Sequence, residues 1–270
     1  MMELKRARYD SSILSFQQKR GQESSAFLIP FLRADMRLLD VGCGPGTITA
    51  TMAPHVKSVV GVDIQARSIA AANELVGSEG GGNFSFVEAD MTALPFAAGE
   101  FDAVFFHAVL YHLDTPTLTK TLSEAKRVLC PGGLLATRDA DVGGNVLYPD
   151  LPGLRTSLDL WQRWYEHDEP DAINFGRRQG EILRANGFLP IWTGASFVNH
   201  SMDDETRRET IEDAKQSLKS LGPKLMEKGL ATQLELAEAV TAWDAWGNKP
   251  DALYLRCRCE CVARKSSISG

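Results

Sequence analysis

The chain has 270 residues, 44% hydrophobic and 24% charged, the balance of a globular protein long enough to bury a sizeable core. Its 29 basic and 35 acidic residues leave a net charge of −6 with no long basic run, which disfavours electrostatic capture of nucleic acid or of an anionic membrane. No window approaches the ~18 apolar residues of a membrane span. The N-terminal stretch MMELKRARYDSSILSF lacks the apolar core of a signal peptide, and the cysteine count is odd, so a reducing, cytoplasmic location is expected.

In chain order, residues 3 to 34 read as helical with a break at Gly21, an N-terminal helical cap over 1–34. MRLLDV (36–41) reads as a short apolar strand ending at a glycine loop, followed by a helix from about Gly46 to Ala53. VKSVVGVD (56–63) is a β-branched strand closed by an acid, and 65 to 78 is Ala-rich and helical. NFSFVEAD (83–90) alternates like a strand, and FDAVFFH (101–107) is a buried one. A helix over about 115–129 stops at Pro131-Gly132-Gly133, and LLATRD follows as a strand.

Strand and helix alternate here, which calls for a parallel sheet covered on both faces. Further on, 153–168 and 177–186 read as helices and IWTGASFV (191–198) as a strand. Residues 203–247 read as helical with breaks at Gly222-Pro223 and Gly229, and ALYLRCRCECVA (252–263) as a final strand. The expected organisation is a core over 35–200, a helical lid inserted at 201–248, and a last core strand and tail over 249–270. Cys257, Cys259 and Cys261 alternate, so they share one face of that strand. Their Cα spacing of roughly 6.5 to 7 Å suits a tetrahedral ion poorly, and a buried strand face is the better account.

LLDVGCGPGTIT (38–49) carries the chemistry. A strand, a glycine loop and a helix N-terminus place a ligand at the carboxyl end of a sheet. The dinucleotide pattern G-x-G-x-x-G fails, because Thr47 stands where its third glycine belongs, and Pro45 removes an N–H from the turn. The loop therefore suits close approach of something other than a phosphate. Asp63 ends the second strand 17 residues after Gly46, where a carboxylate can accept from two ribose hydroxyls. Asp90 ends the third strand beside Met91, a pair suited to an adenine amine and ring face. Asp40 can take an amino group. Together these describe a nucleoside without phosphates, such as S-adenosylmethionine. The structural alternatives are a tight turn at Gly42 and Gly44, a strand-end cap at Asp63 and an Asx-turn at Asp90.

On LLDVGCGPG (38–46), VVGVD (59–63), EADMTALPF (88–96), FDAVFFHAVLYHL (101–113) and VLCPGGLLATRD (128–139), the sequence resembles class I S-adenosylmethionine-dependent methyltransferases, UbiE-like branch. The resemblance implies a doubly wound, mostly parallel seven-stranded α/β sheet, Rossmann-like, of order 3-2-1-4-5-7-6 with only the seventh strand antiparallel. It implies a cofactor bound by Asp40, Gly42, Cys43, Gly44, Asp63, Asp90 and Met91, with Ile64 and Gln65 flanking it and His107 just beyond the fourth strand. N-terminal helices closing over the cofactor would bring Tyr9 and Gln17–Arg20 nearby.

The activated sulfonium makes the reaction an in-line displacement, with a base needed only for a protonated acceptor. His107 is a candidate for cofactor contact or positioning, or a satisfied structural histidine. His112 is a candidate base, a positioning residue or packing at a helix entry. Asp139 and Tyr111 are weaker candidates, and Asp139 with Asp141 are too few for a cation site, so no metal is expected. Trp161, Trp164, Tyr165, Trp243 and Trp246 are aromatic core or the lining of an apolar acceptor pocket. The expected function is methyl transfer to O, N or C of a small apolar or aromatic metabolite. A cofactor-binding protein without transferase activity and an NAD(P)-dependent reductase are the alternatives. The sequence is silent on oligomeric state.

Overall fold

The computed structural model describes residues 21–78, 82–167 and 172–266, and Tyr9 and Gln17–Arg20 lie outside them. Among the described residues eight strands are formed: β1 (Arg37–Val41), β2 (Ser58–Asp63), β3 (Phe84–Glu88), β4 (Phe101–His107), β5 (Leu129–Ala140), β6 (Val146–Tyr148), β7 (Phe188–Asn199) and β8 (Leu253–Lys265). The helices among the described residues are α1 (Thr47–Met52), α2 (Ala66–Ser78), α3 (Thr115–Val128), α4 (Pro152–Glu166), α5 (Phe175–Ala185), α6 (Asp204–Glu227) and α7 (Gln233–Gly247).

The sheet order is β3-β2-β1-β4-β5-β8-β6, with β7 also paired to β8. Strands β1 to β5 pair in parallel. With β7 and β8 as the sixth and seventh strands, this is the expected order with one addition. The extra strand is β6, antiparallel to β8 through Val146↔Leu255, Leu147↔Tyr254 and Tyr148↔Leu253. A strand of three residues is too short to show a periodicity.

The described residues form two compact units: those up to Asp139 with Arg178–Gly194 and those from Glu260, and those of Ala140–Arg177 with Ala195–Cys259. In the first, a parallel sheet packed on both faces needs strands apolar on both sides. Accordingly Ala103, Val104, Phe105 and Phe106 of β4 are all fully buried. Helix α3 starts where Asp114 accepts from the Thr117 amide at 3.0 Å, with Pro116 in its first turn. The Pro131-Gly132-Gly133 turn does not precede β5 as expected. It lies inside the strand as an irregularity, where Phe101 faces Leu129 but Ala103 faces Leu134.

In the second unit, Leu154 and Leu160 of α4 pack with Leu218, Leu221 and Leu225 of α6 and with Leu236, Trp243 and Trp246 of α7. This helical cluster takes in α4, so it extends beyond 201–248. Trp243 and Trp246 are 2% and 0% exposed, with ring centroids 5.6 Å apart. Their indole N–H groups donate to Ser157 Oγ and Tyr148 O, both at 2.9 Å. They are core residues.

Two further expectations are corrected. Residues 22–34 form only short 3-10 turns, Gln22–Ser24 and Ile29–Phe31, the second with Pro30 in it. Gly222-Pro223 does not break the long helix: Pro223 lies inside α6. Gly222 is packed under Leu236, whose Cδ1 would be 3.0 Å from an added Cβ, so tertiary packing outweighs the lost backbone hydrogen bond. The expected break at Gly229 is present: the helix ends at Glu227, and beyond it Gly229, at φ +68°, donates its N–H to Met226 O while Leu230 N–H bonds Leu225 O. No described helix is long and apolar enough to cross a membrane.

Candidate functional site

The carboxyl ends of β3, β2, β1 and β4 stand side by side, and the segments that follow them carry the expected site residues from Asp40 to His107. Between β1 and α1 the backbone turns sharply, with Gly42, Gly44 and Gly46 at φ +76°, +55° and +81°. Every amide the loop possesses is used within the fold. Gly42 and Cys43 both donate to Val62 O at 2.8 and 3.0 Å, Gly44 donates to Asp63 Oδ2 at 3.0 Å, and Gly46 donates to Cys43 O at 3.2 Å. Pro45 has no N–H. A phosphate cradle needs outward amides, and this loop has none among these residues.

The glycines also have a reason internal to the protein. A Cβ on Gly42 would lie 2.5 Å from Val109 Cγ2, and one on Gly46 would strike the Phe86 ring. At these two positions it is the protein's own side chains that exclude a larger residue.

Asp40, 2% exposed, accepts from Thr49 Oγ1 at 2.6 Å. Burial pushes its carboxyl up to about 7, the Thr49 hydroxyl opposes this, and the Asp63 charge adds to it. Asp63 accepts from the Gly44 amide through Oδ2 and from the Gln65 amide through Oδ1 at 2.9 Å. Burial raises it too, against those amides. Each of its oxygens has a second lone pair, so ribose hydroxyls can share the carboxylate with the loop. Ile64 is exposed, and Gln65 accepts from Arg67 Nε at 3.0 Å. The Cys43 thiol donates to Gly44 O at 3.6 Å, and burial keeps it protonated.

Ala89 N–H donates to Asp63 O at 3.0 Å, which ties the segment after β3 to the end of β2. Asp90 is exposed there beside half-buried Met91. Its Oδ1 accepts from Thr92 N and Oγ1, both at 2.8 Å, the Asx-turn alternative realised.

His107 is buried, with its ring 6.3 Å from that of Phe105 and Nε2 at 2.9 Å from Arg138 Nη1. Arg138 in turn donates through Nε to Glu260 Oε1 at 3.1 Å. Ala108 follows at φ +55°, a left-handed conformation that costs about 1–2 kcal/mol for a residue with a Cβ. His112 is half-buried at the end of the 3-10 turn Leu110–His112, its ring 3.8 Å from that of Tyr111. Asp139 accepts from Thr137 Oγ1 at 2.9 Å, whereas Asp141 is held by Arg177 through Nε at 2.8 Å and Nη2 at 2.6 Å. Cys257, Cys259 and Cys261 are free thiols along β8. Among the described residues no group of three His, Cys, Asp or Glu side chains is placed to hold a metal ion.

Sequence reasoning missed Thr49, Arg138 and Glu260. An arginine inside the buried run LLATRDAD was the available signal, since a buried charge demands partners.

The family described as methyltransferase domain matches residues 38–133. A protein named "Probable methyltransferase ltbC" from Aspergillus luteorubrus is 31% identical, the match covering 95% of this chain and 95% of that protein. Among solved structures, a SAM-dependent methyltransferase from Methanosarcina mazei aligns at TM-score 0.55 and 18% identity, over 89% of this chain and 97% of its own. Phosphoethanolamine N-methyltransferase 2 of Haemonchus contortus, solved with S-adenosyl-L-methionine, aligns at TM-score 0.53 and 20% identity, over 91% of this chain and 52% of its own. At those identities the two structures share a fold with this chain.

Proposed function

The chain belongs to the class I S-adenosylmethionine-dependent methyltransferases, and from this we propose that it passes the methyl group to O, N or C of a small apolar or aromatic metabolite by in-line displacement. One observation carries the ligand assignment: a glycine loop with its amides turned inward, beside the buried carboxyl of Asp40 and the half-buried carboxylate of Asp63. A pyrophosphate would find none of the amides of residues 42–46 turned toward it, and would meet the Asp63 carboxylate. A cationic ligand fits, because an ammonium near Asp40 returns its raised carboxyl to the ionised form, and the ion pair strengthens binding.

In this reading Asp63 holds the ribose, Ile64 and Met91 flank the adenine, and Asp90 offers Oδ2, the oxygen outside its turn, to the exocyclic amine. Cys43 is a packing residue under the loop, its thiol too firmly protonated to compete for the methyl group. As the acceptor's lone pair forms the new bond to the methyl carbon, the carbon–sulfur bond breaks and S-adenosylhomocysteine leaves with a neutral sulfur. Alignment alone supplies effective molarities of about 10⁵–10⁸ M. His112 sits at the acceptor side as a positioning group. For a phenolic acceptor it is also the base, a contribution of about 10²–10⁴-fold.

The test is a panel of phenols, amines and quinone precursors, assayed for methyl incorporation and release of S-adenosylhomocysteine. Transfer to at least one member, abolished by Asp63→Ala, is expected. Cofactor binding without transfer to any member of a broad panel would instead support a non-catalytic binding protein.

A further inference from the structure

We propose that Arg138 and Glu260 are positioning residues that fix His107 as the neutral Nδ1–H tautomer and hold the turn it opens. The three residues lie on the adjacent strands β4, β5 and β8, and His107 and Arg138 are direct ladder partners. They are 7%, 1% and 6% exposed, so the row is dry. A guanidinium has donors and no acceptor, so the 2.9 Å contact from Arg138 Nη1 is accepted by the Nε2 lone pair. In a neutral imidazole that leaves the proton on Nδ1. Glu260 neutralises Arg138 and orients its planar group through Nε at 3.1 Å.

The backbone of Arg138 takes part as well. Its carbonyl accepts from the Ala108 amide at 2.9 Å, at the residue forced to φ +55°. That left-handed step directs the chain so that Val109 enters the space left by the absent side chain of Gly42. Arg138 thus holds the ring of residue 107 with its head and the turn at 108 with its main chain. His107 keeps its place without exchanging a proton at Nε2, which leaves any base function to another group. The tautomer follows from this geometry alone; its importance for the cofactor rests on the function proposed above.

The experiment is a long-range ¹H–¹⁵N spectrum of the full chain labelled at its five histidines, with His107 assigned by the peak missing in His107→Asn. At pH 7 the wild type is expected to show His107 neutral, protonated at Nδ1 with Nε2 bare. Arg138→Met is expected to lose that signature, and Arg138→Lys, which restores a donor that cannot accept, to recover it. S-adenosylhomocysteine affinity is expected to fall about tenfold in Arg138→Met and to recover in Arg138→Lys.

A wild-type His107 protonated at Nε2 or on both nitrogens would overturn the proposal, even if Arg138→Met fails to fold. So would unchanged tautomer or affinity in a folded Arg138→Met. If the wild type shows the expected tautomer but binds no cofactor, the proposed function fails and the tautomer assignment stands.

Discussion

Replacing Asp40 by asparagine should change how stability depends on pH. Asp40 is buried on β1 with its carboxyl pushed up to about 7 from the model-peptide value of 3.8, by desolvation first and the Asp63 charge in addition. Between these two values the folded protein keeps a proton that the unfolded chain has lost. Stability therefore falls as pH rises through this window, by about 1.4 kcal/mol per pH unit and about 4 kcal/mol in all, and the slope ends near pH 7. Asp40→Asn removes the titration while keeping an amide oxygen to accept from Thr49 Oγ1. Urea unfolding of both proteins from pH 4.5 to 8.5 reads this group together with its coupling to Asp63, because the other carboxyls titrate in both. The variant should gain on the wild type up to about pH 7 and then run parallel to it. A difference that stays flat from pH 4.5 to 7.5 would mean that Asp40 ionises as an ordinary carboxylate, and the buried, charge-accepting floor of the site would be lost with it.

Gly42→Ala should cost about 1–2 kcal/mol for the left-handed backbone and about 1–3 kcal/mol more for the clash with Val109. Combined with Val109→Ala, the loss should be less than the sum of the single losses by at least about 1 kcal/mol, whereas strict additivity in urea unfolding would contradict the close approach. Trp243→Ala should destabilise by about 3–5 kcal/mol, since it empties the space between Ser157, Trp246 and Tyr254. A measured loss under about 1 kcal/mol would return Trp243 to the surface.

What could be read in the sequence was whatever local spacing encodes. The runs ending in Val41, Asp63 and His107 became parallel strands, because continuous β-branched and apolar stretches between glycines and helices have few other uses. The misfit of Thr47 and Pro45 to a phosphate loop matches a turn whose amides are consumed by Val62 and Asp63. Gly42 and Gly46 were legible as necessary glycines, but not the reason, which lies in Val109 and Phe86 far along the chain. Pro223 misled because a local rule was overruled by packing against Leu236. The partners of His107 lie 31 residues away at Arg138 and, from there, 122 residues further at Glu260, separations that no local pattern spans.

The most direct measurement is isothermal titration of the folded chain with S-adenosylhomocysteine and, separately, with NADPH. Saturable heat is expected with the first and none with the second, and Asp63→Ala should abolish the signal while circular dichroism shows the fold intact. An unliganded trace for S-adenosylhomocysteine, or a full-strength signal in Asp63→Ala, would contradict the assignment of these strand ends to an uncharged nucleoside bearing a cation.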